Sequence, residues 1–210
     1  MNAMVISGLK MAGFFALTTL ILVYSMCGIV SNMVVSILFG IFELAICGYF
    51  CYAAWKKSDQ FKVRILYGFV ALTTLVSAIT NFSIHKYYFT DYGNVSRWII
   101  VLCISLGLSS SASIAFTSFT EKFMGDIISQ NGIDEFMEQI IYLVLNTAIQ
   151  VLQAFLMCSV GDRTESEMVS VICIRSLGTV FCGLLVGLAF GVFLGSKAEP
   201  TNLGYVQPDE

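Results

Sequence analysis

Charge is what this chain has least of. Only 12% of its 210 residues are Asp, Glu, Lys or Arg. A soluble globular domain carries about 25%, so roughly half of the usual solubilising charge is missing. Proline is scarce as well, with 2 residues, which excludes a Pro-rich disordered chain. The single His85 cannot complete a zinc set with the seven cysteines, no two of which form a C-x-x-C pair. A nucleophilic hydrolase lacks its base for the same reason, and no G-x-x-x-x-G-K-[ST], H-E-x-x-H or G-x-S-x-G occurs. These absences point away from an enzyme and from any metal or cofactor. A net charge of -3, with no Lys/Arg cluster outside one loop, argues against a nucleic-acid partner.

What the chain has is apolar sequence. It is 57% hydrophobic, with a mean hydropathy of +0.83, and runs near the length of a bilayer crossing recur along it. The stretch from Trp55 to Arg64 organises these runs. It sets Lys56, Lys57, Lys62 and Arg64, with Asp59, between two of them. Such a charged gap is a loop between spans, and its cations tend to stay cytoplasmic.

The expected fold is therefore all-α, a polytopic integral membrane protein built as a bundle of six transmembrane helices. The spans fall at about 11–30, 33–55, 65–85, 98–119, 137–160 and 171–195. Residues 1–195 form a single bundle, and 196–210, which hold both prolines, form a mobile polar cytoplasmic tail. The first run reads as a retained span, because it passes through Cys27-Gly28-Ile29-Val30 into the next run with no small-residue cleavage site. Ser31-Asn32 alone separates spans one and two, which predicts a tight hairpin. Residues 120–136 read as a polar segment with a short interfacial helix on Phe123, Ile127 and Ile128.

Six spans put both termini on the side of the 56–64 loop. The cations agree: Lys10, Lys56, Lys57, Lys62, Arg64, Lys122 and Lys197 fall there, against Lys86, Arg97, Arg163 and Arg175 opposite. Gly13-Phe14-Phe15-Ala16-Leu17-Thr18-Thr19-Leu20 and Gly68-Phe69-Val70-Ala71-Leu72-Thr73-Thr74-Leu75 differ at one position. A duplicated two-helix hairpin produces such an echo, and so does chance within an apolar alphabet.

Glu43 is the sharpest candidate for function. A carboxyl in mid-span costs about 2.5–3.5 kcal/mol on insertion scales and should face the protein interior. It either binds a proton or cation, or hydrogen-bonds a neighbouring helix and fixes assembly. Asn146, Gln150 and Gln153 share one face of span five. Ser105, Ser109, Ser113 and Thr117 step along span four at intervals of four. These stripes line a wet pathway with Glu43, or they pack helices closely together.

Gly183, Gly187, Gly191 and Gly195 make a small-residue stripe of glycine-zipper type, which lets another helix backbone dock inside the chain or in a partner. Asn94-Val95-Ser96 is a glycosylation sequon in loop 86–97. Cys51, with Cys47 a turn away and Lys56-Lys57 beyond, is a palmitoylation candidate beside the more ordinary reading of a structural thiol. Cys27, Cys158 and Cys173 map to the opposite span ends.

Two functions follow. One is a non-enzymatic assembly, trafficking or accessory subunit that contacts other membrane proteins or itself through span six. The other is a proton- or cation-linked channel or transporter using Glu43 and the polar faces of spans four and five. Whether those groups converge on one cavity separates the two.

Overall fold

The computed structural model describes residues 3–57, 60–87, 94–130, 132–158 and 165–197. The side chains of 85–87, 94–97 and 156–158, and most of those in 115–130 and 165–175, lie outside that description. The described residues form six helices: α1 (Ala3–Ser31), α2 (Met33–Lys56), α3 (Phe61–Tyr87), α4 (Asn94–Gln130), α5 (Glu135–Cys158) and α6 (Glu165–Lys197). Among the described residues the fold is all-helical, as expected.

Four of these helices are long and apolar enough to cross a membrane: Met4–Ser31, Met33–Lys56, Phe61–Ile84 and Ser176–Ser196. In α4 the apolar stretch is the shorter Trp98–Ile114. Side chains of α5 are described only as far as Phe155, and over that stretch α5 is not among the four. Six membrane spans are thus not established by length and composition, although six helices are.

Helices α1, α3, α4 and α6 run past the apolar stretches that announced them. Hydropathy marks the hydrocarbon slab, whereas helical hydrogen bonding continues into water until something stops it. The largest difference is in α4. Residues 120–130 extend this helix to Gln130 and do not form a separate interfacial helix. No proline stands in the way. Gly132, with φ of 68°, supplies the left-handed turn after it. Asp134 then caps α5, its Oδ1 accepting from the Met137 N–H at 2.8 Å. Phe123, Ile127 and Ile128 have side chains outside the described set. Helix α3 runs to Tyr87 and α4 starts at Asn94, so both ends of the expected loop 86–97 are helical.

From α2 to α6, neighbours in sequence are neighbours in space, and α1 packs chiefly on α6. Contacts across α2 and α3 run from Ser36 with Asn81, through Glu43 with Ser77, to Phe50 with Tyr67. Numbers rise on one helix as they fall on the other, so the pair is antiparallel. Asn32 makes the single-residue break between α1 and α2, its Oδ1 accepting from Val34 N–H at 2.9 Å and Val35 N–H at 3.3 Å. The turn is tight, as expected, but the two helices do not pack along their length. Their principal partners are α6 and α3.

That difference bears on the repeated octet. In α1, Phe14 and Phe15 pack with Tyr142 and Phe15 with Phe190. In α3, Val70 and Ala71 pack with Phe50 and Leu66. The α3–α4 pair packs extensively whereas α1–α2 does not, so the two octets sit in unlike surroundings.

Glycine decides the closest approaches. A Cβ on Gly187 would run into the backbone of Met11, and one on Gly191 into Ser7 and Gly8. A Cβ on Gly183 would meet Thr19. The α6 glycine face is therefore filled by α1 of the same chain. Gly195 is buried in the same stripe.

Candidate functional site

Glu43 is fully buried, at 0% exposure. Ser77 and Asn81 lie four apart on α3, so they share a face. Ser77 Oγ donates to Glu43 Oε1 at 2.6 Å, and Asn81 Nδ2 donates to Oε2 at 2.8 Å. Both carboxyl oxygens are thus satisfied by one neighbouring helix, which offsets the cost of burying them. The same seam is held one and two turns earlier on α2. Phe82 lies over Gly40, and Ser36 Oγ donates to the Asn81 carbonyl. Together, residues 36, 40 and 43 fix the rotation of α2 on α3.

The hydroxyls of α4 meet α5. Asn146 Nδ2 donates to Ser113 Oγ at 3.1 Å, and Ser109 Oγ lies 3.5 Å from Thr147 Oγ1. Ser113 Oγ donates to the Ser109 carbonyl at 2.6 Å and Thr117 Oγ1 to the Ser113 carbonyl at 2.9 Å. Gln153 turns to α6 instead. Its Nε2 donates to Ser176 Oγ at 2.8 Å, and Thr179 Oγ1 donates to its Oε1. Ser176 Oγ also lies 3.7 Å from Cys27 Sγ of α1. Among the described residues, buried Gln150 has neither amide atom hydrogen-bonded, and buried Ser105 Oγ has no hydrogen-bond partner either.

The polar residues therefore meet in pairs at successive helix seams. The structure brings Ser113 of α4 to Asn146 of α5 and Ser109 to Thr147. It gives Glu43 to α3, whose Ser77 stands between Glu43 and the α4 backbone, with Ser77 Oγ 3.4 Å from the Ile104 carbonyl. Gly107 of α4 approaches so closely that a Cβ there would strike Ser77. Two sizeable clefts, of about 510 and 200 Å³, are lined by other residues. Among the described residues no three His, Cys, Asp or Glu side chains gather as a metal site.

Cys51 is exposed on α2. Asn94 is the first residue of α4, but its side chain lies outside the described set, as do those of Cys158, Cys173 and Arg175. Sequence reading missed Ser77, Asn81, Ser176 and Thr179. The signal was there: polar residues three or four apart inside apolar runs, which place two hydrogen-bonding groups on one face.

Compared with protein-family models, curated proteins and solved structures, the chain matches none.

Proposed function

We propose that this chain is a six-span membrane protein with both termini cytoplasmic, acting without catalysis as an accessory subunit that docks another membrane protein along α2. The excess of cations on the side of the 56–64 loop supports the orientation. Support for six spans comes from α4 and α5, which lie in the same row as the apolar helices and turn their hydroxyls and amides inward.

The observation that carries the docking reading is the outer face of α2. It is the least buried of the four apolar helices, yet Glu43, Gly40 and Ser36 hold its rotation. Leu38, Ile41, Ala45, Gly48, Tyr52 and Trp55 are left exposed at alternating steps of three and four, the spacing of a helix-pairing seam. A Cβ on Gly48 would meet nothing within 4 Å, so a backbone can approach there. The glycine face of α6 is occupied by α1, which moves the partner surface from span six to α2. A photo-crosslinking residue at Leu38 or Tyr52 in native membranes should give a discrete protein adduct, and Gly48→Leu should remove it. Adducts to lipid alone would end the docking reading.

A second reading, proton- or cation-linked transport, draws on Ser105, Gln150 and Asn81 Oδ1, which are buried without hydrogen-bond partners. Such groups commonly hold water. In proteoliposomes this reading requires that Glu43→Gln abolish a pH-dependent flux while expression stays intact. Wild-type flux in that variant excludes it.

A further inference from the structure

Two clefts follow one another along α2, and none of the helix contacts described so far fills them. The first, of about 510 Å³, opens between α2 and α4. Phe42, Ala45, Ile46, Tyr49 and Phe50 line one side of it, Ser111 and Ile114 the other, and none of these is charged. The second, of about 200 Å³, lies where the α2–α3 turn meets the start of α5. It is lined by Lys57, Gln60, Tyr67, Asp134, Glu135 and Gln139, among others. The ring of Phe50, in the first cleft, sits 5.5 Å from the ring of Tyr67, in the second. The apolar cleft thus ends where the charged one begins.

An apolar groove on a membrane-crossing helix that leads into a charged cleft at the helix end has the polarity profile of a phospholipid. Trp55, 76% exposed, marks the depth of the interface. Lys57 Nζ is 5.5 Å from the centre of the Tyr67 ring, within the cleft, where it can meet a phosphate. Lys56, Lys62 and Arg64 are exposed around the same turn and attract phosphate to that surface. The acids supply the opposite charge. Asp134 uses Oδ1 to cap α5, and Glu135 Oε1 accepts from Gln139 Nε2 at 3.2 Å. Each carboxylate has a second oxygen to offer an incoming N–H donor.

The geometry points to a site for one aminophospholipid of the leaflet on this side, with its acyl chain in the α2–α4 groove. Its phosphate lies at Lys57 and its primary ammonium at Asp134 and Glu135. The single cation and two acids of the cleft complement a phosphate joined to an ammonium better than a head group that is only anionic. The site requires α2 and α3 to cross the bilayer and does not depend on a partner docking along α2.

The test is native mass spectrometry of the full chain, purified with equimolar phosphatidylethanolamine, phosphatidylglycerol and phosphatidylcholine, counting the lipid retained. Phosphatidylethanolamine should be retained about tenfold over the other two, the effect of a charge-assisted hydrogen bond. Asp134→Asn with Glu135→Gln keeps a capping side chain and should erase that preference without lowering phosphatidylglycerol. Lys57→Gln should lower both. Ser111→Phe fills the groove from the α4 side, changes no residue of the α2 seam although Ala45 lines both, and should lower all three.

Equal retention of the three lipids by wild type, or a preference for phosphatidylglycerol, overturns the site whatever the variants do. So does an unchanged preference in the acid double variant, or a bound second protein chain displaced by Ser111→Phe in place of lipid. Alkaline extraction of membranes separates a variant that fails to insert from one that has lost the site.

Discussion

Glu43 and Ser77 meet at 2.6 Å across the α2–α3 seam, a carboxyl from one apolar helix and a hydroxyl from the next. Asn81 takes the other carboxyl oxygen, so the strongest polar contact of α2 is made to a single neighbour. A helix so little buried elsewhere depends on that contact for its rotation.

Removing the carboxyl should therefore cost stability. Glu43→Ala leaves the Ser77 hydroxyl and the Asn81 amide buried without their acceptor, a loss of about 1–3 kcal/mol. Glu43→Gln keeps the volume and one acceptor oxygen and should lose less. Unfolding in mixed detergent micelles, read by circular dichroism, ranks the two. Equal stability of Glu43→Ala and wild type would show that the seam does not hold α2.

The α1–α6 contact should be intolerant of bulk. A side chain on Gly187 meets the Met11 backbone, which can move only by separating the helices. Gly187→Leu should cost about 1–3 kcal/mol from overpacking. Gly178 on the same helix faces open space, so Gly178→Leu should be neutral or mildly stabilising through helix propensity. The same micelle assay distinguishes them.

Two glutamines one turn apart should respond in opposite directions. Gln153→Leu removes the amide that bonds both Ser176 and Thr179 and should destabilise. Gln150→Leu removes an amide with no hydrogen-bond partner and should hold stability or raise it by about 1 kcal/mol. If Gln150→Leu unfolds the protein, the amide has a bonded partner that the described residues do not include.

The Ser113–Asn146 bond at 3.1 Å should be measurable by a double-mutant cycle with Ser113→Ala and Asn146→Leu. Interhelical hydrogen bonds in membranes couple by about 0.6 kcal/mol on average and by about 1.7 at most. A coupling indistinguishable from zero would remove this contact from the forces joining α4 and α5.

Much of the fold could be read in the chain. The apolar runs located the four membrane-length helices, because hydropathy over a window depends only on composition. It was a poorer guide to α4, where helical hydrogen bonding carries on through polar sequence to Gln130. The stripe Gly183, Gly187, Gly191 was legible as a surface for close approach. That α1 fills it was not, because the same spacing serves a partner chain equally well.

Glu43 shows the same division. That a carboxyl in an apolar run must turn inward follows from the residue and its depth, since both set the cost of exposing it to hydrocarbon. The order of residues settles something more: Asn146, Gln150 and Gln153 share a face, since that follows from 3.6 residues per turn. It took the packing of the helices to show that Glu43 bonds Ser77 and Asn81, that Asn146 turns to α4 and Gln153 to α6, and that Gln150 has no hydrogen bond among the described residues. Those outcomes depend on which helices lie side by side and in what register. Spacing within one helix carries no information about its neighbour.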